Sequence, residues 1–491
     1  MVLDILKDRT LTYEQKVIAL ARFAENSVEP IAIAPEAREW FEREVISDMF
    51  EGNAPYRPRY IVPDYTRLMD QGCDFLRLCA PTTLQEAIHA LLIMYKHVPS
   101  ITTLPVYIGE LDTLLEPFVT AADDGTFEQI KMFLIHIDRT ITDSFCHANL
   151  SGKDTKVARM ILKAERELEN AIPNITVKVN EHTTDDFLLE AIQTSLKVAK
   201  PSFANDAMFR SDFEPNEYGI VSCYNGLPIG GGSYTLVRMN LAKLAQKGDS
   251  EESFIVRLET AVPLMLDYMD QRVSFLLNDT DFFSTHFLVK EGFIDIKKFT
   301  AMFGIVGLAD AVNTVHDEFK FGHDDVSEAF GKRVIETLES LVNRHKNEML
   351  YATDSRYVLH AQVGLDTDEG VSPGCRIPIH DEPAIHDHIL KSAPYHSHFP
   401  SGIGDIFRFD ETVRRNPMAI VDIIRGAFKS GLRYFSLYED NADVVRITGY
   451  LVKKSDIEKL RRGEQVLNDA VVLGKGAVDN QKVLERKKRE L

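Results

Sequence analysis

A strand-like segment followed at once by a helix-like segment is the feature that most limits how this sequence can fold. Residues 173–180 read PNITVKVN, in which Ile175, Val177 and Val179 alternate with polar residues, as in a β-strand. The next stretch, DDFLLEAIQTSLKVA, has the apolar spacing of an amphipathic helix. The same alternation recurs through the second half of the chain. We therefore expect an α/β fold with helices packed outside the strands.

The charge balance limits the partners that the chain can bind. Its 491 residues carry 56 Lys and Arg against 75 Asp and Glu, a formal net charge of −19. Such an acidic chain lacks the general basic surface that binds nucleic acid or anionic membranes. No apolar run reaches the length of a membrane-spanning helix, and the first residues lack the uninterrupted apolar stretch of a signal peptide. These features predict a cytoplasmic protein.

The cysteine and glycine patterns exclude several kinds of site. The five cysteines are scattered and no two form a CxxC pair, so the sequence predicts neither a disulfide framework nor a cysteine-ligated zinc site. The glycine-rich stretches at 226–233 and 399–407 lack the spacing of a phosphate-binding loop. Any cysteine with a special role would therefore work as a free thiol.

The pentapeptide Arg446-Ile447-Thr448-Gly449-Tyr450 carries the sharpest functional implication. A glycine before an aromatic residue is, on its own, most often part of a turn. The pattern Arg-aliphatic-x-Gly-Tyr near the C-terminus nevertheless resembles the glycyl radical motif of pyruvate formate-lyase, anaerobic ribonucleotide reductase and their relatives. Glycine suits that role because its Cα has no side chain, so a radical there can be planar. The resemblance implies that Gly449 carries the radical and that Arg446 and Tyr450 support the radical loop.

A glycyl radical needs a thiol to which the unpaired electron can pass, and Cys223 is the candidate. It lies in IVSCYNGLPIGGGSYTLVRMNLAKLA, between a strand-like segment and a glycine-dense loop. A free cysteine is by itself most often a small buried apolar residue. This stretch is similar, however, to the cysteine loop and following Asn-Leu strand end of anaerobic ribonucleotide reductase. The resemblance implies that Cys223 is the thiyl residue and that Asn240 is an amide of the substrate pocket.

Further stretches extend the resemblance over about residues 40–460. They include residues 100–119, similar to the entry segment of the superfamily, and residues 299–313. Residues 376–407 and the C-terminal region around the motif most closely resemble the YjjI-type glycine radical enzymes. That resemblance implies a ten-stranded α/β barrel made of two five-stranded parallel half-barrels, with helices outside. The Cys223 loop and the Gly449 loop would meet in its centre.

The resemblance also implies how the enzyme is activated and what it binds. A separate radical S-adenosylmethionine activating enzyme would remove a hydrogen atom from Gly449, so no cofactor is bound permanently. Cys223 would then take a hydrogen atom from a small polar substrate. The resemblance allows a homodimer.

Departures from the better-known relatives leave the reaction class open among lyase, transferase and reductase. The zinc-binding cysteines of anaerobic ribonucleotide reductases are missing, and Cys223 lacks the neighbouring cysteine of pyruvate formate-lyase. The Gly-Cys-x-Glu motif of the dehydratases is replaced by Ser222-Cys223-Tyr224-Asn225. Two alternatives therefore remain: a divergent enzyme like anaerobic ribonucleotide reductase, or a non-catalytic barrel that keeps the glycine motif as a turn.

A histidine cluster between residues 380 and 398 suggests a polar substrate pocket. Its members are His380, His386, His388, His396 and His398. Histidines at such spacing can bind Zn, Fe or Mn, but an irregular, proline-containing segment need not bring them together. We therefore predict no metal site, and we expect His386 and His388 to donate hydrogen bonds or move protons in the pocket. Cys375, just upstream, is a further pocket residue and the second choice for the thiyl residue.

Three regions follow from these assignments. Residues 1–40 form an N-terminal helical segment. Residues 41–430 form the α/β barrel body with the thiyl-cysteine loop. Residues 431–491 form the C-terminal glycine radical domain and end in a charged helical tail.

Overall fold

Strands and helices alternate along the chain, as the sequence predicts. The computed structural model describes residues 2–49, 51–52, 54–100, 107–316, 318–362 and 368–491. These residues form the strands β1 (Ile46–Ser47), β2 (Tyr60–Val62), β3 (Tyr107–Glu110), β4 (His147–Leu150), β5 (Asn174–Val179), β6 (Ser202–Asn205), β7 (Tyr218–Val221), β8 (Asn225–Pro228), β9 (Gly231–Asn240), β10 (Phe299–Val306), β11 (Val358–Ala361), β12 (Asp405–Phe409), β13 (Tyr434–Glu439), β14 (Val444–Arg446), β15 (Leu451–Lys453) and β16 (Lys488–Arg489).

Helices cover most of the sequence between these strands. Within the described residues they are α1 (Val2–Lys7), α2 (Tyr13–Glu25), α3 (Pro35–Glu42), α4 (Tyr65–Gln71), α5 (Leu84–Tyr95), α6 (Leu111–Leu115), α7 (Asp124–Thr140), α8 (Lys156–Leu168), α9 (Asp185–Val198), α10 (Asp206–Phe213), α11 (Leu241–Leu244), α12 (Glu251–Ser274), α13 (Phe282–Thr285), α14 (Phe287–Lys290), α15 (Leu308–Val315), α16 (Asp325–Arg344), α17 (Ile385–His396), α18 (Met418–Lys429), α19 (Lys454–Arg461) and α20 (Ala470–Gln481).

The strands pair into two large mixed sheets. In the first, β9, β10 and β11 run parallel, and β1 and β2 pair antiparallel with β9. The second has the order β16-β12-β13-β6-β5-β4-β3 and is parallel except where β13 meets β6. The predicted α/β class is confirmed. The sheets are mixed, with five and seven strands, and closure into a ten-stranded barrel stays a prediction.

Strand β5 explains how a polar site can lie inside the molecule. All six of its residues are buried, although alternate ones are polar. Ile175 and Val177 belong to the large apolar core, whereas Asn174 and Lys178 hydrogen-bond to backbone carbonyls of other elements. Because side chains alternate across a strand, β5 separates an apolar layer from a polar interior.

Two hairpins lie outside the large sheets and enter this interior. One joins β7 to β8 and carries Cys223 at its tip. The other joins β14 to β15 and carries Gly449.

The two ends of the chain pack against each other. Gln15 of α2 donates hydrogen bonds from Nε2 to the carbonyl oxygen of Val466 at 3.2 Å and to Asp469 at 2.6 Å. The predicted charged tail is helical over α20, but its last residues form β16, which pairs with β12. The last residues of the predicted helical tail are therefore part of a sheet.

Two further sequence predictions concern the entry segment at residues 100–119 and the absence of a membrane-spanning helix. Residues 101–106, within the predicted entry segment 100–119, lie outside the described residues, and the segment continues as β3 and α6. Among the residues that the structure describes, every helix is too short or too polar to traverse a lipid bilayer.

Candidate active site

The β7–β8 hairpin presents Cys223 at its tip. Val221 pairs with Asn225, so Ser222, Cys223 and Tyr224 make the turn, and Ser222 adopts a left-handed conformation with φ 57°. Cys223 is 2% exposed. The strand predicted before Cys223 is present as β7, whereas the glycine-dense stretch 226–233, which was predicted to be a loop, forms β8 and the start of β9.

A chain of hydrogen bonds holds the backbone just before Cys223. His147 donates from Nδ1 to the carbonyl oxygen of Ser222 at 2.7 Å, because a carbonyl can only accept. Its Nε2 lies 2.7 Å from the hydroxyl of Thr176, which lies 2.6 Å from the hydroxyl of Tyr434. Burial lowers the pKa of His147 to about 3, so its Nε2 accepts from Thr176.

Gly449 lies directly against Cys223. An ideal Cβ placed on Gly449 would lie 2.7 Å from the Sγ of Cys223 and closer still to the Cβ of that residue. Real Cβ atoms do not make contacts this short, so no side chain fits at position 449. The turn itself is closed by a hydrogen bond of 3.0 Å from the amide of Ile447 to the carbonyl oxygen of Tyr450.

Asn174 and Arg446 hold the Gly449 turn from beneath. Asn174 donates from Nδ2 to the carbonyl oxygen of Gly449 at 3.1 Å, and its Oδ1 accepts from Arg446 at 3.1 Å. Arg446 also donates to the carbonyl oxygen of Ala199 at 2.8 Å. Burial lowers the pKa of Arg446 to about 10, which leaves it charged at neutral pH. The ring of Tyr450 packs 4.8 Å from that of Phe145.

The C-terminal segment adds a second support to the same turn. Arg486, itself buried, donates to the carbonyl oxygen of Ile447 at 3.0 Å and to that of Arg446 at 3.4 Å. A further contact of 3.2 Å joins Arg486 to the hydroxyl of Tyr438.

Burial and charge determine the protonation state of Cys223. Burial raises the pKa of its thiol, and the hydroxyl of Ser222 together with the positive charges of Arg376 and Arg59 opposes that rise. Arg376 and Arg59 favour the ionised thiolate, but burial outweighs them. The thiol is therefore protonated at neutral pH.

The remaining predicted pocket residues fall in different places. Asn240 is buried at the end of β9, where its Oδ1 caps α11 by accepting from the amide of Lys243 at 3.1 Å. Cys375 is buried at 4% exposure, next to Arg376 in the chain. His386 is exposed on α17, so the prediction that it lines a buried pocket is wrong. A helix buries only one face, and His386 lies on the other.

The histidine cluster divides into a buried pair, two exposed members (His380 and His386) and the half-buried His398. His388 and His396 are buried and direct their Nε2 atoms toward Asp405, at 3.3 and 3.6 Å. Burial would raise the pKa of Asp405, but its contacts with His388 and His396 hold that pKa well below the usual value. Arg489 also lies 3.0 Å from the Nδ1 of His388. Among the described residues, Asp267, Asp270 and His345 form the group with metal-ligand spacing, and it includes none of the five cluster histidines.

Comparison with known proteins identifies the family. The model of the family described as "Glycyl radical enzyme YjjI-like" matches residues 11–489. The chain belongs to this family. Among its relatives, an uncharacterized protein of Haemophilus influenzae is 44% identical over 506 residues, covering 100% of this chain and 97% of the relative. The uncharacterized protein YjjI of Escherichia coli is 40% identical over 493 residues, covering 99% and 95%.

Solved structures of other glycyl radical enzymes share the fold of this YjjI-like chain. Hydroxyproline dehydratase of Clostridioides difficile, with trans-4-hydroxy-L-proline bound, has a TM-score of 0.72 and 13% identity over 100% of this chain and 89% of that chain. Anaerobic ribonucleotide reductase of Thermotoga maritima, in complex with dATP and CTP, has a TM-score of 0.68 and 12% identity over 93% and 94%. At these identities the likeness shows a common fold.

Four residues at the YjjI-like site were not identified from the sequence: Asn174, His147, Arg376 and Arg59. The regular placing of polar residues in β5 and the position of Arg376 directly after Cys375 were the available signals. Neither of these signals shows which way a side chain points. In a strand with both faces buried, the pattern of polar residues does not distinguish the face that borders the site from the face that borders the core.

Proposed function

We propose that Gly449 carries the glycyl radical of this YjjI-like enzyme and that Cys223 is the thiol with which it exchanges a hydrogen atom. One observation carries the proposal: a Cβ at Gly449 would lie 2.7 Å from the sulfur of Cys223. Hydrogen transfer needs such contact between donor and acceptor atoms. Both hairpin tips are buried, which supports a site from which water and oxygen are excluded.

Hydrogen-atom transfer requires an intact S–H bond, and the protonated state of Cys223 supports this role. A separate activating enzyme would remove one hydrogen atom from the Cα of Gly449, using a radical formed by reductive cleavage of S-adenosylmethionine. The Gly449 radical would then take the hydrogen of the Cys223 thiol, which leaves a thiyl radical and an intact glycine. The thiyl radical would take a hydrogen atom from a substrate C–H bond and return it to the product radical.

Two features support the predicted ten-stranded barrel around these tips. The amide of Ala361 in β11 donates to the carbonyl oxygen of Gly402 at 3.0 Å, and the amide of Ser401 donates to Leu359 at 3.3 Å. These bonds link the edge of the first sheet to the segment that leads into β12. The order β3-β4-β5-β6-β13-β12-β11-β10-β9-β1 would then contain ten strands. In this proposal residues 41–430 form most of the barrel, and residues 431–491 supply β13, the radical hairpin and the tail.

Electron paramagnetic resonance of the activated protein tests the proposal. The full chain would be incubated without oxygen with a co-expressed activating enzyme, S-adenosylmethionine and a reductant. We expect a doublet from coupling to the one remaining Cα hydrogen of Gly449, and no signal in Gly449→Ala. Brief exposure to air should cleave the chain at Gly449 and release a fragment of residues 449–491.

Transfer between the two residues can be measured without knowing the substrate. In D2O the thiol of Cys223 carries deuterium, so reversible transfer should replace the Cα hydrogen of Gly449 and collapse the doublet to a single line. Cys223→Ser should keep the radical but lose this exchange, because an O–H bond is too strong to yield its hydrogen. Exchange at the normal rate in Cys223→Ser would disprove the role of Cys223. A chain that no functional activating enzyme converts to a radical would disprove the role of Gly449.

A further inference from the structure

On one face of the first sheet, polar residues of β9 and β11 lie on either side of Gly304 in β10. Gly304 of β10 pairs with Arg238 of β9 on one side and with His360 of β11 on the other. Residues paired across parallel strands share a face, so Arg238 and His360 flank a position without a side chain. Asn240 pairs with Val306 one step further along. This row of residues places polar side chains on both sides of Gly304.

His360 offers a hydrogen-bond acceptor in this row. Its Nδ1 lies 3.0 Å from the carbonyl oxygen of Ser401 and must donate to it, so the Nε2 of the neutral ring is unprotonated. Burial lowers the pKa of His360 to about 4, which keeps the ring neutral at pH 7. The Nε2 atom is buried and has no hydrogen-bond partner of acceptable geometry among the described residues, although the side chain of Gln362 lies close to the ring. Its ring lies 5.7 Å from that of Tyr224, the residue after Cys223.

Two arginines near the Cys223 thiol each have an unused donor. Arg376 donates from Nε to the carbonyl oxygen of Gly404 at 2.6 Å, but its Nη1 has no partner in the described part of the chain. Arg59 donates from Nη1 to the carbonyl oxygen of Met49 at 2.6 Å, and its Nε is likewise unpartnered. Both residues are 8% exposed. Buried donors of this kind normally have partners, so these two atoms point to a ligand.

The nearby carboxylates are already engaged by other cations. Glu51 forms its shorter ion pair, of 2.9 Å, with Arg272 and a longer one, of 3.7 Å, with Arg59. Asp368 pairs with Arg238. Arg376 makes no ion pair within 4 Å to a described residue, and its guanidinium lies 5.5 Å from the centre of the Tyr224 ring. The site therefore has an excess of buried positive charge, which an anion would offset.

We propose that the substrate of this enzyme is a small hydroxy carboxylate, with its carboxylate held by Arg376 and Arg59 and its hydroxyl donating to Nε2 of His360. This inference rests on the proposed role of Cys223 as the reactive thiol. Two unpartnered guanidinium donors match the two oxygens of one carboxylate. A neutral diol would leave Arg376 without a counter-charge and Arg59 sharing Glu51 with Arg272. The substrate carbon that bears the hydroxyl would then lie next to the sulfur.

A matched pair of probes tests the charge requirement on the unactivated full chain. Lactate and 1,2-propanediol differ at one group, which is a carboxylate in lactate and a hydroxymethyl group in 1,2-propanediol. By isothermal titration calorimetry we expect lactate to bind at least about tenfold more tightly, since a hydrogen bond to a charged group contributes enough for that factor. Arg376→Gln and Arg59→Gln should each weaken lactate binding without weakening that of 1,2-propanediol. His360→Phe should weaken both.

The surface variant Arg425→Gln serves as the control, because Arg425 is exposed and paired with Asp185. It should bind lactate as the unmodified chain does. Equal binding of the two probes, or no binding of either, would overturn the proposal. Retention of the lactate preference in both arginine variants would overturn it as well.

A second measurement needs no folded variant. Iodoacetate and iodoacetamide alkylate thiols and differ only in charge, and the exposed Cys79 is an internal reference. Peptide mass spectrometry should give an iodoacetate-to-iodoacetamide ratio at Cys223 at least about tenfold above that at Cys79. Equal ratios would overturn the proposal. Both measurements use protein without a radical, so their failure would leave the resonance test of Gly449 unaffected, and the reverse also holds.

Discussion

Asn174 connects the two loops of the site through one amide group. Its Nδ2 donates to the carbonyl oxygen of Gly449 at 3.1 Å and lies 3.4 Å from the carbonyl oxygen of Ser222, the residue before Cys223. Its Oδ1 accepts from Arg446 and from the amide of Ile175. A single side chain therefore fixes the position of the radical loop relative to the cysteine loop.

Replacing Asn174 with Asp should slow hydrogen transfer between Gly449 and Cys223. Aspartate keeps the acceptor for Arg446 but has no hydrogen to donate to the two carbonyl oxygens, so the two loops lose their shared donor. We expect deuterium exchange at the Gly449 radical in D2O to slow by about tenfold, the effect of losing a buried hydrogen bond. The measurement is the rate at which the resonance doublet becomes a single line.

Asn170→Asp provides the comparison. Asn170 is also buried, but its side chain has no hydrogen-bond partner among the described residues. Its substitution should leave the exchange rate unchanged. An Asn174→Asp protein that exchanges as fast as the unmodified chain would show that this amide does not position the loops.

The sequence was sufficient to predict the α/β class and to select Gly449 and Cys223, the two residues that lie against each other in the site. The strand at 174–179 and the helix at 185–198 have clear periodicity, and Gly449 and Cys223 were found through motifs that resemble a family. Arg376 and His360 could not be found in this way, because their environment depends on pairing between strands far apart in sequence. The position of His360 depends on the register of β11 with β10 and on its hydrogen bond to Ser401, 41 residues further along the chain.

The histidine cluster shows the opposite error. Five histidines within 19 residues suggested a shared pocket, but α17 turns His386 to solvent while His388 and His396 face Asp405. The helical period, and not the number of histidines, determines which of them meet. The predicted helical tail also ends differently, since Lys488 and Arg489 form a strand paired with β12 and both Arg486 and Arg489 are buried.

Gly449→Ala should destabilise the protein even before activation. The added methyl group would overlap Cys223, and overpacking of this kind costs about 1 to 3 kcal/mol of unfolding free energy. Calorimetric unfolding of the unactivated chain measures the loss. Gly426→Ala is the control, because nothing lies within 4 Å of a Cβ at that position in α18, so its stability should not fall. If Cys223→Gly fails to relieve the loss caused by Gly449→Ala, the clash is not its cause.

His147 should make the protein less stable in mild acid. Burial lowers its pKa from 6.5 to about 3, so below pH 6.5 the unfolded chain takes up a proton that the folded chain does not. Stability is therefore lost as the pH falls from 6.5 toward 3, by about 2 kcal/mol at pH 5 from this residue. Urea unfolding at pH 7 and pH 5 measures it.

His147→Gln is the matched variant for this measurement. Its amide can donate to Ser222 and accept from Thr176 but does not titrate, so the fall in stability between pH 7 and pH 5 should be smaller by the contribution of one proton. If the unfolding free energy of His147→Gln falls as much between pH 7 and pH 5 as that of the unmodified chain, another group is responsible.

Arg486→Gln should loosen the radical hairpin. Arg486 donates to the carbonyl oxygens of Ile447 and Arg446. Loss of a hydrogen bond from a charged donor lowers the free energy of local opening, so we expect amide exchange to speed up by about tenfold or more. Hydrogen–deuterium exchange of the peptides covering residues 444–453 measures this. Arg462→Gln removes an exposed arginine that pairs with Glu464 and should change nothing there. Unchanged exchange in Arg486→Gln would mean that the hairpin is held by Asn174 and Arg446 alone, and the C-terminal segment would then have no part in positioning Gly449.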